Sequence, residues 1–331
     1  MKMLPICCDI PFLGYNKHAF TSGILLTEEK CLPYVYSNLY INILSTPAID
    51  DLWCDFLEEQ SFISNREYFD EFRMVSFLNA KNFSFFSNYD FINKTVIEMI
   101  DKGFYLYGSI DDYYVPYRWS YKREHYLHDY LLCGYDLDKC TYYCLGYNIK
   151  SIFEINEINF NDFYDAVRNA DNVFMNFEKI SSSFNFTFDK DKFLFFLKDY
   201  INGTNSLNTF KGAIFGIDVM LKFVEICKEA DKLFCPEMQN HDFIFIRNLY
   251  EHKKFMLDRI KYMYINGFHK NIHIMEEYQL VVSKMKKIYA YCLKCTVIQK
   301  RWNLESYYKL ACEINDLEKK CFNNLNNELK K

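Results

Sequence analysis

The middle of the chain spells a hairpin. Tyr130 to Tyr135 (YLLCGY) is a short apolar run, Asp136-Leu-Asp-Lys139 is a polar turn, and Cys140 to Tyr147 (CTYYCLGY) is a second run rich in aromatics and thiols. Aromatic side chains suit a pleated surface and the polar cluster supplies turn chemistry, so the segment predicts two antiparallel strands. A turn centred near Leu137 and Asp138 sets His128 across from Tyr147 and Asn148. Asp136 lies farther off along the same strand, roughly 26 Å from His128 at about 3.3 Å per residue, and cannot orient that imidazole. A histidine oriented by a carboxamide or carboxylate on a neighbouring strand is the base half of a cysteine-dependent acyl-transfer site.

Around this hairpin the chain reads as α+β. Asp90 to Asp101 carries Phe91, Val96, Ile97 and Ile100 at helical spacing, and Phe104 to Ile110 reads as a strand leading into the hairpin. Leu32 to Leu44 is a candidate helix whose tyrosine and β-branched content leaves a strand open. Helices first and an antiparallel sheet afterwards suit an α+β hydrolase-like layout over residues 1–155. From residue 156 the texture turns helical. Asn161 to Asn169, Asp189 to Tyr200, Gly212 to Lys232, Asp242 to Asn266, Ile274 to Lys300 and Leu304 to Lys331 are the expected helices, with a break at Cys235-Pro236. Residues 156–331 are expected to form a helical bundle region whose Asn-rich end frays.

Composition bounds the partners and the compartment. A net charge of −5 over 331 residues gives no basic surplus, so nucleic acid is not an expected partner. No uninterrupted run of about 18 apolar residues appears, so no membrane span is expected. The opening MKMLPICCDIPF lacks a long apolar core and a small-residue cleavage site. Thirteen cysteines, an odd count in a long chain, read as reduced thiols in a cytoplasmic protein.

A base of this kind needs a nucleophile. In papain-like folds the cysteine precedes the histidine and asparagine and sits at a helix start, where the helix N-terminus favours the thiolate. Cys31 directly precedes Leu32-Pro33-Tyr34-Val35, and Pro33 suits a first helical turn. Cys7 and Cys8 are alternatives on a β-like segment, and Cys54 lies between carboxylates that raise a thiol pKa. The expected catalytic set is therefore Cys31 as nucleophile, His128 as general acid/base and Asn148 as orienter. The ordinary alternative is that Cys31 is a small buried hydrophobe, His128 a core histidine and Asn148 the end of a strand.

Other constellations carry less. Cys292 and Cys295 with His269 and His273 match zinc ligand types, but the pair sits in a helical stretch without a knuckle turn, so core packing is expected and no metal. Asp111-Asp112 and Asp136-x-Asp138 are expected to be solvated carboxylates at strand and turn edges. No GxGxxG, GxxxxGK[ST] or GxSxG occurs, so nucleotide binding and serine hydrolysis have no motif support.

The run DDYYVPYR, the His128-Asp129 pair, LLCGYD and the second strand ending in GYN together resemble the butirosin-biosynthesis-H-like group. These are papain-like cysteine acyltransferases of natural-product clusters, related to the bacteriocin-leader peptidases. The resemblance covers roughly residues 5 to 160. It implies a papain-like cysteine protease fold and amide formation through a cysteine acyl-enzyme, as in antibiotic and nonribosomal-peptide assembly. The acyl thioester would arrive on the phosphopantetheine arm of an acyl or peptidyl carrier protein, no further cofactor being needed, and a small amine would accept it. His128 matches the family's base and Asn148 lies near its orienting position. The family commonly carries a His-Cys pair at an early helix start. The matching place here is His18-Ala19, with alanine where the thiol stands. A peptidase or amidase of the same fold, a catalytically silent acyl- or carrier-binding protein, and a homodimer remain open at this level.

Overall fold

A computed structural model of the chain describes residues 1–46, 54–57, 66–78, 88–171, 173–207, 209–229, 239–300 and 302–330. In chain order its strands are β1 (Lys2–Met3), β2 (Asn42–Ser45), β3 (Cys54–Leu57), β4 (Phe69–Leu78), β5 (Tyr105–Asp111), β6 (Leu127–Asp136), β7 (Thr141–Tyr147), β8 (Phe153–Asn159), β9 (Val173–Ile180) and β10 (Ile214–Phe215). Its helices are α1 (Asn16–Leu25), α2 (Leu32–Asn38), α3 (Tyr89–Asp101), α4 (Phe160–Arg168), α5 (Lys190–Asn202), α6 (Asp218–Glu229), α7 (Gln239–Ile265), α8 (Ile272–Val297) and α9 (Tyr308–Leu329). The class is α+β with antiparallel sheets. The chain divides into two compact units, Met1–Glu29 with Phe62–Asn185, and Lys30–Ser61 with Phe186–Lys331. A single boundary between residues 155 and 156 was expected. Instead the segment from Lys30 to Ser61 joins the helical unit, and β8, α4 and β9 belong with the sheet, because their pairing partners lie there.

The first unit is built on a seven-stranded antiparallel sheet in the order β4-β9-β5-β6-β7-β8, with β1 added to β6. The hairpin forms as its sequence predicts. Asp136 pairs with Thr141 and Leu131 with Leu145, and the register slips once between Leu132 and Gly134. The Asp136 carboxylate accepts from the N–H groups of Asp138 and Lys139 and so builds the turn. Helix α1 covers one face, where Phe20 meets Tyr107 and Phe153. Helices α3 and α4 cover the other, where Tyr142 meets Phe160 and Phe163 and hydrogen-bonds Asn93. Both helices start on asparagine caps, Asn88 and Asn159, whose side chains accept first-turn N–H groups. Buried Arg66 ties the α1 face together: it donates to Thr21 at 3.2 Å and pairs with Glu178 of β9 and with Glu71.

The second unit combines a small sheet, β10-β2-β3, with α2 and helices α5 to α9. The candidate helix Leu32 to Leu44 divides into α2 and β2, turned by Tyr40 at φ 56°. The stretch expected as one helix from Gly212 divides into β10 and α6; its expected end at Lys232 and the break at Cys235-Pro236 lie outside the described residues. The last three helices follow their apolar periodicity closely. The Asn-rich end is helical through Leu329, because Phe322, Leu325 and Leu329 are buried. The core of this unit holds charge. Lys253 and Glu318 form an ion pair at 2.8 Å with both side chains fully buried, and the hydroxyls of Tyr200 and Tyr278 also donate to Glu318. Arg259, also fully buried, donates to the carbonyls of Tyr36 and Leu39 and so closes the C-terminal end of α2. Burial lowers its pKa to about 9. Among the described residues no helix is long and apolar enough to cross a membrane.

Candidate active site

Antiparallel pairing brings the end of β5, the start of β6, the end of β7 and the start of β8 to one end of the large sheet. Strand β5 closes at Asp111 and passes into a short 3₁₀ turn, Asp112–Tyr114. The chain then loops back, and β6 places His128 opposite Ile110 and Leu127 opposite Asp111. This register sets two adjacent carboxylates beside the histidines of the returning segment. Asp111 and Asp112 were expected to be solvated edge groups. Instead they are only 5% and 3% exposed, and each faces a histidine. The reason is local: the Asp111 carboxylate accepts from the N–H groups of Tyr113 and Tyr126 at 3.0 and 3.3 Å, so it is solvated by backbone rather than by water.

The two dyads differ. Asp111 lies 2.6 Å from Nδ1 of His125, whose ring stacks on Tyr113 at 4.3 Å and is largely exposed. Asp112 lies 3.2 Å from Nδ1 of His128 and, through its other oxygen, 3.7 Å from Nε of Arg118. None of the three atoms, Asp112 Oδ1, Arg118 Nε and His128 Nδ1, completes an aligned hydrogen bond, so this is an ion cluster held by charge more than by geometry. Burial disfavours the Arg118 charge, but Tyr117 and Asp112 outweigh it and raise the guanidinium pKa. Gly146 of β7 makes room for that guanidinium: at φ 157°, a Cβ there would meet Arg118 Nη2 at 2.8 Å.

On its other side, Nε2 of His128 lies 3.3 Å from Nδ2 of Asn16, the first residue of α1. The loop before α1 is fastened over this end of the sheet by the Tyr147 hydroxyl, which donates to the Leu13 carbonyl at 2.8 Å. Asp112 thus stands on the Nδ1 side of the ring and the Asn16 amide on the Nε2 side, so Nε2 is the ring nitrogen turned toward the start of α1. A ring nitrogen presented in this way, with a carboxylate behind the other, is the arrangement in which an imidazole takes a proton from a substrate. Asp129 neighbours the cluster. Burial raises its carboxyl pKa, offset in part by His128 and by the Tyr107 hydroxyl, which donates at 3.3 Å.

The residues expected as a triad occupy different places. His128 is at the site. Continuing the hairpin register beyond its last pair, Leu131 opposite Leu145, sets residue 148 across from residue 128, as the sequence spacing requires. The Asn148 side chain is nevertheless spent on the β7–β8 turn: its Oδ1 accepts from Lys150 and Ile152, and its Nδ2 donates to Glu154. The group facing Nδ1 of His128 is Asp112. Cys31 stands before α2 as its sequence suggested, with Pro33 in the first turn, but it is fully buried and belongs to the second unit, whereas His128 belongs to the first.

The other early thiols lie elsewhere. Cys7 is bonded through its N–H to the Gly23 carbonyl, about 10 Å along α1 from Asn16 at 1.5 Å per residue. Cys8 is exposed, and burial followed by the Cys7 charge raises its pKa. The Cys54 thiol is pushed far up, by burial first and then by Asp55. Cys133 and Cys144 sit deeper in the hairpin, Cys133 about 16 Å along β6 from His128. His18 and Ala19 are buried in α1, so Asn16 rather than Ala19 meets the imidazole.

Asn16 and Asp112 escaped the sequence reading, but one signal was present. Pairing the strand that ends at Asp111 with the one that begins at Leu127 brings Asp112 to His128 without further information. Among the described residues, no group of three or more His, Cys, Asp or Glu side chains is arranged to hold a metal ion. No family model matches the chain, and no curated protein matches it.

Proposed function

We propose that the protein is an acyl-transfer enzyme that forms an amide from a thioester and an amine, with His128 as its base and Asp112 as the group that orients it. One observation carries the reading: Asp112 faces Nδ1 of His128 while Nε2 is turned toward the start of α1. A neutral amine attacks the thioester carbonyl. His128 Nε2 takes the proton released as the C–N bond forms, then returns it to the departing sulfur as the C–S bond breaks, so a thioester and an amine become an amide and a thiol. The exposed apolar side chains Trp119, Tyr126, Leu127, Ile149 and Ile152 belong to segments at this end of the sheet. They suit an acyl chain and the phosphopantetheine arm of a carrier protein. A helix start in front of an antiparallel sheet, with the base on a later strand, supports a papain-like layout and kinship with the butirosin-biosynthesis-H-like group.

In this reading Cys31 takes no part, because a wholly buried thiol meets no thioester. The test is amide formation from an acyl N-acetylcysteamine thioester and a primary amine. His128→Gln is expected to lower the catalysed rate by about 10² or more, the scale of general-base assistance, while Cys31→Ser leaves it unchanged. Equal rates for wild type and His128→Gln overturn the proposal. A second reading, a binding protein that holds an acyl carrier without turning it over, draws on the carboxamide that stands before the imidazole. Tight carrier binding with no product in wild type would favour it.

A further inference from the structure

Asn16 is the side chain in contact with the catalytic face of His128, and the acyl-transfer reading leaves it without a task. It sits at the first position of a ten-residue helix whose preceding residue, Tyr15, gives no side-chain cap. Its Nδ2 lies 3.3 Å from the imidazole. An amide nitrogen carries two N–H groups. One meets Nε2, and the Asn16 side chain makes no other hydrogen bond to the described residues, which leaves the second N–H for a ligand oxygen.

We propose that residue 16 decides the mechanism. As asparagine it turns its amide from Nε2 to the carbonyl oxygen of the bound thioester, which frees the Nε2 lone pair to serve the incoming amine directly, so that no acyl-enzyme forms. With a thiol at this position the same surroundings support a covalent intermediate. The inference rests on the acyl-transfer reading of the same dyad. Its physical basis is placement. A sulfur in place of the Asn16 Cγ would stand about 1.3 Å short of the present Nδ2 position, within the loose range found for nucleophile and base before substrate arrives. It would also lie in the first turn of a helix and beside an imidazole, two settings that lower a thiol pKa.

The chemistry balances. The introduced thiol gives its proton to His128 Nε2, its sulfur forms a bond to the thioester carbonyl carbon, and the original carbon–sulfur bond breaks. The departing sulfur then takes the proton back, leaving an acyl group on the protein and a free small thiol.

The experiment exposes full-length Asn16→Cys, Asn16→Cys/His128→Gln and wild type briefly to an acyl N-acetylcysteamine thioester. Intact mass and peptide mapping then separate position 16 from the background at Cys7, Cys8 and Cys140, and far-ultraviolet circular dichroism confirms folding. The expected result is one adduct at position 16 in Asn16→Cys, formed at least about tenfold more slowly in the double variant. This dependence is one that a merely structural Asn16 would not produce. A folded Asn16→Cys that gains no adduct at position 16, or gains it equally without His128, overturns the inference. Wild-type turnover is measured in the same series. Turnover with no adduct in Asn16→Cys sinks this inference and keeps the acyl-transfer reading. An adduct in Asn16→Cys with no wild-type turnover sinks that reading and keeps the placement of residue 16.

Discussion

Asp112→Asn changes one buried charge and leaves the side-chain shape. Asp112 is the carboxylate facing both Arg118, 3.7 Å away, and His128, 3.2 Å away, and the Asp112 and Arg118 side chains are 5% and 4% exposed. Removing one member of a buried ion pair costs about 3–5 kcal/mol, because the other charge stays out of water. The long, unaligned contact places this case near the lower bound, at about 3 kcal/mol. A unit of roughly 150 residues loses about 2–4 °C per kcal/mol, so its melting temperature should fall by about 6–12 °C. The assay is calorimetry, with hydrogen exchange on β5 and β6 to assign the transition to the sheet unit. Asp112→Asn/Arg118→Met should regain part of the loss, since it leaves no unpaired guanidinium. Catalysis should fall further than stability explains, because a neutral amide no longer stabilises the charge that forms on the His128 ring as it takes the proton. A melting temperature within about 1 °C of wild type would refute the claim that Arg118 and His128 depend on this carboxylate.

Three further outcomes follow from the same contacts. Gly146→Ala should push Arg118 from its seat and cost about 1–3 kcal/mol, read by denaturant unfolding; its Cβ would stand 2.8 Å from Nη2. Burial raises the Asp129 pKa, so the native state binds that proton more tightly than the unfolded chain does. The resulting cost is present at neutral pH and is relieved as pH falls through the raised value toward the ordinary one near 4. Asp129→Asn should therefore stabilise the protein at pH 7 and lose that gain below about pH 4, as melting against pH would show. Lys253→Met should cost about 3–5 kcal/mol by leaving Glu318 charged and buried, measured by urea unfolding.

What the sequence discloses depends on how far apart the interacting residues lie. The hairpin is local: its apolar runs, polar turn and register are all contained between Tyr130 and Tyr147, and the structure keeps them with one slip at Gly134. Helices α7 to α9 are long and periodic, and their buried stripes lie within single segments. Strand β9 is the opposite case. It sits between β4 and β5, far from both in sequence, and its pairing energy comes from partners no window around Val173 contains. The candidate site divides the same way. His128 was legible because the hairpin announces it. Asp112 becomes legible only once the β5–β6 pairing is drawn, because two adjacent acids otherwise read as a solvated edge and its partners, Arg118 and His128, lie along the returning chain. Asn16 left no mark, since its role comes from the position of α1 over the sheet and from no motif around it.

The account turns on whether His128 serves the acceptor directly. Intact-protein mass spectrometry of the wild type during turnover of an acyl N-acetylcysteamine thioester and an amine tests this most directly. The predicted result is amide product with no acyl adduct on any cysteine. A single adduct on Cys31 that disappears in His128→Gln, or no amide above the uncatalysed rate, would contradict it.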